Sequence, residues 1–322
     1  HCERGIWPMI SLDDILAARA RIAPFTRVTP VMPATAMREP LPLSAEVVFK
    51  LELFQVTGSF KARGAMNRYQ ADRGGIPAAG IVTASGGNHG LAVARTAHAA
   101  GARATIFVPS AVRPEKVEKM RGWNADVRIV GDEWSVSNEA ALAFAAETGA
   151  VYFHPFADPL VVAGQGTLGL EIVEQIPDLD AIVVAIGGGG LISGLSTAVK
   201  ALKPHIRIIG VEPEGSPTLR ACLEAGRKVR LDAVTSRVAT MSCRETDDRI
   251  YDIVRGKVDE IVLVSDDHML EASRWLWSEF GIAADLSGAA SVAALRRWPE
   301  RLRNARRVCA LVCGAGSDGI GG

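Results

Sequence analysis

The sequence lacks an excess of either charge. Its 322 residues hold 36 lysines and arginines against 36 aspartates and glutamates, so the formal net charge is zero. Nucleic-acid binding depends on phosphate contacts and therefore on a basic surface, which argues against a nucleic-acid partner. The composition is 48% hydrophobic and 22% charged, which is typical of a globular protein with a large core and not of a disordered chain.

Disulfide and zinc patterns are also missing. The five cysteines are an odd number in a long chain, and no Cys-x-x-Cys or His-x-x-x-His pair occurs, so we expect neither a disulfide framework nor a zinc site. Segment 1–9 contains Glu3 and Arg4 and is followed by no apolar stretch, unlike a secretory signal. We therefore expect a cytoplasmic protein.

An uninterrupted apolar helix is missing as well. The charge-free stretch 181–199 has nearly the length of a membrane span, but it contains five glycines, four of them consecutive. A run of four glycines marks a loop. We interpret the stretch as a strand, a glycine loop and a helix, and expect no membrane association.

What the sequence does contain is an alternation of short apolar runs and longer segments of helical spacing. The predicted strands are 47–51, 81–84, 104–108, 127–130, 151–153, 181–186, 206–211, 261–264 and 308–312, and the predicted helices are 88–100, 133–147, 160–175, 191–202, 267–280 and 286–298. Nearly all the strands are continuously apolar, as in parallel sheets covered on both faces. The alternation predicts an α/β fold with two lobes, each an open, mostly parallel sheet flanked by helices. We assign 11–52 and 155–322 to the larger lobe and 53–154 to the smaller, with ligands in the cleft beyond the strand ends.

The first segment that carries chemistry is Thr-Gly-Ser-Phe-Lys-Ala-Arg-Gly-Ala at 57–65. Thr57 or Ser59 is a candidate N-cap, which places Lys61 in the first turn of a helix. An ammonium group there opposes the helix dipole. In a dry site its pKa falls, and the neutral amine can form an imine. A solvated helical lysine is the alternative interpretation.

The second segment is Thr-Ala-Ser-Gly-Gly-Asn-His-Gly at 83–90, between a predicted strand and a predicted helix. Its glycines allow close approach of the backbone, and the free N–H groups at the helix start favour an anion such as a carboxylate. Ser85 and Asn88 add neutral hydrogen-bonding side chains. The alternative is an ordinary turn in which one of these two residues caps the helix.

The third segment is Gly187, Gly188, Gly189 and Gly190, again between a predicted strand and a predicted helix. Residues without Cβ can direct several backbone N–H groups into one concavity at the N-terminus of the helix, where the helix dipole is positive. Phosphate is the anion that such a site is expected to bind. The segment is neither a Walker A loop nor a dinucleotide-binding fingerprint. A structural tight turn rarely needs four glycines, so we predict a phosphate site.

Together, an imine-forming lysine, a carboxylate-binding turn and a phosphate site indicate pyridoxal 5'-phosphate acting on an amino acid. In order and spacing, the three segments resemble the fold-type II (β-family) pyridoxal-phosphate enzymes, and within them the threonine/serine dehydratase and serine racemase group. The resemblance covers about 11–316. It implies a tryptophan synthase β-like fold, a homodimer, and β-elimination of a β-hydroxy L-amino acid such as threonine or serine to a 2-oxo acid and ammonia. A binding protein of the same fold without catalytic activity is the alternative from another class.

The resemblance also implies contacts to the cofactor. Lys61 would hold the cofactor as an imine and, once the substrate has displaced it, would remove the Cα proton. The other implied contacts are Phe60 beside the pyridine ring, Asn88 on the ring 3′-oxygen, Cys313 at the ring nitrogen, and Leu191 with Gly187, Gly188, Gly189 and Gly190 on the phosphate. Cys313 is alternatively a small buried apolar residue.

The implied contacts to the substrate carboxylate are Ser85, Gly86, Asn88 and His89. His89 alternatively packs inside its own lobe. Racemases of the group carry a second serine where this chain has Gly86, and glycine cannot move a proton, so we expect dehydration in preference to racemisation. A β-replacement synthase is a further alternative, against which His89 counts.

Two positions depart from the family pattern. Glu212 is retained from a cation site whose last ligand position is Thr218 here, so Glu212 is only a candidate ligand for a monovalent or divalent cation. The Ala-Asp-Gly segment of threonine dehydratases is replaced around 238–243, a stretch that often borders the substrate side chain. A bulkier substrate such as phenylserine or hydroxyaspartate therefore stays an open alternative.

Overall fold

The computed structural model describes residues 10–321. Segment 1–9, with its Cys2, lies outside the described residues. That this segment is not a secretory signal stays a prediction. Across residues 10–321, no helix is both long enough and apolar enough to cross a membrane.

Strands and helices alternate along the described chain. The strands are β1 Val31–Pro33, β2 Glu46–Lys50, β3 Ile81–Ala84, β4 Ala104–Val108, β5 Asp126–Ile129, β6 Val151–Tyr152, β7 Ala181–Ala185, β8 Arg207–Pro213, β9 Glu260–Val264 and β10 Arg307–Leu311. The helices are α1 Leu12–Ile22, α2 Lys61–Ala71, α3 Asn88–Ala100, α4 Pro114–Arg121, α5 Trp134–Thr148, α6 Pro159–Gln175, α7 Gly190–Leu202, α8 Thr218–Ala225, α9 Asp248–Lys257, α10 Asp266–Phe280 and α11 Leu286–Arg297.

The strands form two sheets. The larger has the order β1-β2-β10-β7-β8-β9 and the smaller has the order β5-β4-β3-β6. The pair β1–β2 is antiparallel and the other neighbouring pairs are parallel. The predicted α/β fold with two mostly parallel sheets is therefore confirmed, whereas the lobe boundaries at 53 and 154 stay a prediction.

Burial on both faces explains why the strands appear in the sequence as continuous apolar runs. In the smaller sheet, Ile81 and Ile106 pack with α3 in one hydrophobic cluster. Their neighbours Val82 and Phe107 point to the opposite face and pack in another cluster with Ala141 of α5. Since successive side chains of a strand alternate between faces, a sheet covered by helices on both sides requires apolar residues at every position.

Helix α2 is fixed to its surroundings by a buried ionic network. Arg63 Nε lies 2.6 Å from Glu52 Oε1, and Arg63 Nη1 lies 2.7 Å from Glu171 Oε1. Lys50 Nζ lies 2.8 Å from Glu171 Oε2. Buried charges are tolerated only when they are paired and hydrogen-bonded, so this network fixes the position of the helix whose first residue is Lys61.

Candidate active site

Lys61 is the first residue of α2, as the sequence predicted, but the cap of this helix differs from the prediction. The N-cap residue is Phe60, which makes no side-chain capping bond, so Thr57 and Ser59 are not the N-cap. Ser59 Oγ instead accepts a long hydrogen bond, 3.4 Å, from the Lys61 N–H. Thr57 has φ +64°, a conformation that is unusual for a β-branched residue and that stores backbone strain just before the lysine.

The Lys61 ammonium group lies in neutral surroundings. Its Nζ donates a hydrogen bond of 2.7 Å to the carbonyl oxygen of Pro155 and lies 5.2 Å from the centre of the Phe60 ring. Desolvation lowers the pKa of Lys61 from 10.5 to about 8. Burial lowers the pKa of Lys50 too, but its Nζ is paired with Glu171 and donates to two further oxygens, of Thr29 and Gln175, so that amine is fully engaged. Of these two lysines, Lys61 is therefore the one that can act as a neutral amine.

The four glycines form the turn between β7 and α7. Gly189 has φ +94° and is the N-cap of α7 without any side-chain capping bond, so the first N–H groups of the helix lack intrahelical acceptors. A Cβ on Gly188 would overlap the ring of Phe156, and one on Gly187 would lie 2.8 Å from the carbonyl oxygen of Thr240. Side chains are thus excluded from this turn, and the open N–H groups suit a phosphate.

The turn after β3 has the same character. Helix α3 starts at Asn88 with Gly87 as its N-cap, and no side chain caps it. Neither Ser85 nor Asn88 therefore acts as the cap. The Ser85 hydroxyl instead accepts a hydrogen bond of 3.3 Å from the Gly87 N–H. The N–H groups at the start of α3 therefore have no capping side chain and can bind an anion, and a substrate carboxylate as that anion stays a prediction.

His89 lies inside the smaller lobe. The residue is 3% exposed, Nε2 lies 3.0 Å from the carbonyl oxygen of Phe153, and Nδ1 has no hydrogen-bond partner among the described residues. Burial lowers the pKa of His89 to about 3, so the imidazole is neutral. These contacts match the alternative interpretation, in which His89 packs within its lobe, and they give it no positive charge to offer a carboxylate.

Cys313 follows β10, next to the start of α2. Its carbonyl oxygen accepts a hydrogen bond of 3.3 Å from the Phe60 N–H, and its Sγ lies 3.4 Å from the carbonyl oxygen of Ser287. Burial raises the pKa of the Cys313 thiol, so the sulfur keeps its proton. A neutral thiol is a weak donor and suits the predicted position beside a pyridine nitrogen.

Two contributors to the site were not predicted from the sequence. Asp285 Oδ2 accepts a hydrogen bond of 3.2 Å from Asn88 Nδ2, across the two lobes. Phe156 packs against Gly188 and Gly190 and follows Pro155, the acceptor for Lys61. An acidic residue directly before the predicted helix at 286–298 was the one available signal for Asp285, and it is equally a signal for an ordinary N-cap.

Glu212 has a structural task of its own. Its carboxylate accepts hydrogen bonds of 2.8 and 2.9 Å from the N–H groups of Leu219 and Arg220, at the start of α8. Burial raises the pKa of Glu212 to about 7. Thr218 donates its hydroxyl hydrogen to the carbonyl oxygen of Cys243. In the part of the chain that the structure describes, no group of three or more His, Cys, Asp or Glu residues could hold a metal ion.

The stretch 238–243 borders both glycine turns. The Thr240 carbonyl oxygen is close to Gly187, and the Thr240 Cγ2 would lie 3.8 Å from a Cβ on Gly87. Thr240 itself is exposed. Thr240 is therefore placed to contact a ligand that occupies the two predicted anion sites at once.

Comparisons with known proteins bear on the family and the fold of this chain. Residues 22–314 match the family described as pyridoxal-phosphate dependent enzyme. The L-threonine ammonia-lyase of Thermotoga maritima is 37% identical over 287 residues, which is 89% of this chain and 71% of that protein. The phenylserine dehydratase of Ralstonia pickettii is 36% identical over 307 residues, which is 95% of this chain and 93% of that protein. The structure of maize serine racemase matches with a TM-score of 0.90 and 32% identity, over 96% of this chain and 94% of that one.

The fold and the site thus define a two-lobed enzyme of fold type II. The chain belongs to the pyridoxal-phosphate dependent enzyme family, which confirms the resemblance inferred from the three segments. Membership implies pyridoxal phosphate as the cofactor. The roles of the individual site residues stay predictions.

Proposed function

We propose that this chain is a pyridoxal-phosphate-dependent ammonia-lyase that dehydrates a β-hydroxy L-amino acid to a 2-oxo acid and ammonia. The observation that carries the proposal is the placement of Lys61, whose amine has a pKa lowered to about 8 and no ion-pair partner among the described residues. When bound, the cofactor supplies the electron sink for breaking the Cα–H bond. The similarity to the threonine ammonia-lyase and the phenylserine dehydratase supports this reaction class.

In this proposal each segment has one task. Lys61 moves the proton at Cα through its Nζ, and the turn at 85–88 binds the substrate carboxylate and so orients the Cα–H bond. Gly187 to Gly190, with Leu191, hold the cofactor phosphate through backbone N–H groups. Phe60, Asn88 and Cys313 surround the cofactor ring. A homodimer, a cytoplasmic location and a cation near Glu212 stay further expectations.

Racemisation is the second candidate, because the maize serine racemase structure is so similar. Its local requirement is a side chain at position 86 that can move a proton on the face opposite Lys61. A Cβ on Gly86 would overlap Cγ2 of Val112, so the space for such a side chain is already occupied. This packing favours elimination.

A substrate panel tests the proposal. Protein loaded with pyridoxal phosphate is offered L-threonine, L-serine, phenylserine and 3-hydroxyaspartate, and 2-oxo acid, ammonia and the D-amino acid formed by inversion at Cα are measured. We expect 2-oxo acid and ammonia in equal amounts from at least one compound, and none from Lys61→Ala. Formation of a D-amino acid without any 2-oxo acid would replace dehydration by racemisation, and no turnover of the whole panel would contradict the proposed substrate class.

A further inference from the structure

Asp285 joins the two lobes at the candidate site. It is the N-cap of α11, and its Oδ1 accepts hydrogen bonds from the Ser287 hydroxyl at 2.7 Å and from the Gly288 N–H at 2.5 Å. Its Oδ2 accepts the hydrogen bond from Asn88 Nδ2 at the start of α3. One oxygen thus caps a helix of the larger lobe, and the other holds a side chain of the smaller lobe.

The chemistry of the two groups fixes the direction of the contact between them. An ionised carboxylate can only accept hydrogen bonds, and an amide has one accepting end and one donating end. Asn88 must therefore turn its NH₂ group toward Asp285. One of the two N–H bonds is used there, and the second stays available to another acceptor.

We propose that Asp285 is a positioning residue, which fixes the orientation of the Asn88 amide so that Asn88 offers a hydrogen-bond donor to an anionic oxygen of the ligand in the cleft. The inference rests on the proposed function, in which Asn88 contacts the oxygen on the cofactor ring. A donor held in place before the ligand binds needs no reorganisation when it does.

The surroundings keep the carboxylate in place. A Cβ on Gly314 would lie 2.9 Å from Asp285 Oδ2, and one on Gly316 would lie 2.6 Å from Asp285 Cβ. The Asp285 N–H donates to the carbonyl oxygen of Gly314 at 3.1 Å. With backbone on this side, the carboxylate has no room to turn toward 314–316.

Burial is the strongest influence on Asp285 and raises the pKa of its carboxyl above the ordinary value. The hydrogen bonds from Ser287, Gly288 and Asn88 act in the opposite direction, because each is donated to the carboxylate and stabilises its charge. Asp318 and the neutral thiol of Cys313 are close enough to Asp285 to interact with it electrostatically. No lysine, arginine or histidine of the described residues forms an ion pair with Asp285, so its orienting effect depends on these hydrogen bonds.

The substitution Asp285→Asn tests the proposal with almost no change in shape. Asparagine is as good an N-cap as aspartate, so its Oδ1 can keep the bonds from Ser287 and Gly288. Its NH₂ group then faces Asn88, which must turn its carbonyl oxygen toward it and withdraw the donor. We expect the affinity of the apoprotein for pyridoxal phosphate, measured by fluorescence quenching, to fall at least about tenfold, since a hydrogen bond to a charged group is worth that much or more.

A double-mutant cycle separates orientation from simple damage. In an Asn88→Ala background, Asp285→Asn should cause no further loss of affinity. The control is Asp180→Asn, which changes another carboxylate that accepts backbone N–H bonds, here from Arg306 and Arg307. It should leave the cofactor affinity unchanged. The urea midpoint of each apoprotein reports the stability of the fold.

Three results decide the matter. Unchanged affinity in Asp285→Asn would overturn the proposal, and so would an equal loss with and without the Asn88 amide. A loss matched by a large fall in the urea midpoint would assign Asp285 to helix capping alone and would also overturn it. If wild-type apoprotein does not bind pyridoxal phosphate, the proposed function itself has failed, and that is seen before any variant is compared.

Discussion

Gly188 provides a sharp test of the geometry of the phosphate loop. A Cβ at this position would overlap three ring atoms of Phe156, namely Cδ1, Cγ and Cε1. Nonbonded carbon atoms approach to about 3.5–4.0 Å at best, so in Gly188→Ala either the ring or the loop must move by about 1 Å or more. The φ angle of Gly188 is not positive, so alanine is tolerated by the backbone and the cost is steric.

The expected cost follows from this overlap. Overpacking of this kind costs about 1–3 kcal/mol, and we expect Gly188→Ala to lower the free energy of unfolding by that amount. Because Phe156 follows Pro155, whose carbonyl oxygen accepts from Lys61, we also expect weaker binding of pyridoxal phosphate. Urea unfolding of the apoprotein and a cofactor titration measure the two effects.

Two further variants make the test specific. Gly256→Ala, in α9, is the matched control, because a Cβ there would meet nothing within 4 Å, and its free energy of unfolding should not fall. In a Phe156→Leu background, Gly188→Ala should lower the free energy of unfolding by much less than it does in the wild-type protein, because the smaller side chain makes room for the Cβ. If Gly188→Ala behaves like Gly256→Ala, or if Phe156→Leu brings no recovery, the close packing of ring against loop is refuted.

Three other predictions concern stability. His154 has a pKa lowered by burial to about 4, against 6.5 for an unperturbed histidine, so the unfolded chain binds a proton that the folded protein does not. As the pH falls from 7 to 5, this proton uptake lowers the free energy of unfolding by about 2 kcal/mol. In His154→Asn, which keeps an acceptor in place of Nδ1, the free energy of unfolding measured with urea should fall by about 2 kcal/mol less over the same pH range than in the wild type. Gly86→Ser should lower the urea midpoint by overlap with Val112, and Val112→Ala should restore it in the double variant. Glu52→Gln leaves Arg63 buried with half of its charge partners and should reduce the free energy of unfolding by about 3 kcal/mol or more; a loss below about 1 kcal/mol would contradict the role assigned to the network.

The fold was predictable where strands are buried on both faces, because such strands appear in the sequence as continuous apolar runs. The stretch 181–199 shows this, since the predicted strand, glycine loop and helix are β7, the turn at 186–189 and α7. Strand β1 and helix α1, which lack a clear apolar pattern, were not predicted. Strand β1 is a three-residue antiparallel edge that ends at Pro33, too short to show a period. Helix α1 carries charges in both its first and its last turn, which obscure its apolar stripe.

The site was predictable to the extent that residue type carries the chemistry. A lysine at a helix start and glycines after strands are visible in the sequence, and the structure places Lys61 at the start of α2 and the glycines after β7. The partners of those residues have no such signature. Lys61 bonds to a backbone carbonyl 94 positions away, and Asn88 bonds to a carboxylate 197 positions away. Only the packing of the two lobes brings these groups together.

The central claim is that Lys61 holds the cofactor, and reduction with borohydride tests it most directly. Protein loaded with pyridoxal phosphate is reduced, digested and analysed by mass spectrometry to find the lysine that has become covalently modified. The account predicts modification on the peptide that contains Lys61, whose amine has only the Pro155 carbonyl as its hydrogen-bond partner among the described residues. Modification of another lysine, such as the buried Lys50, or of no lysine at all, would contradict it.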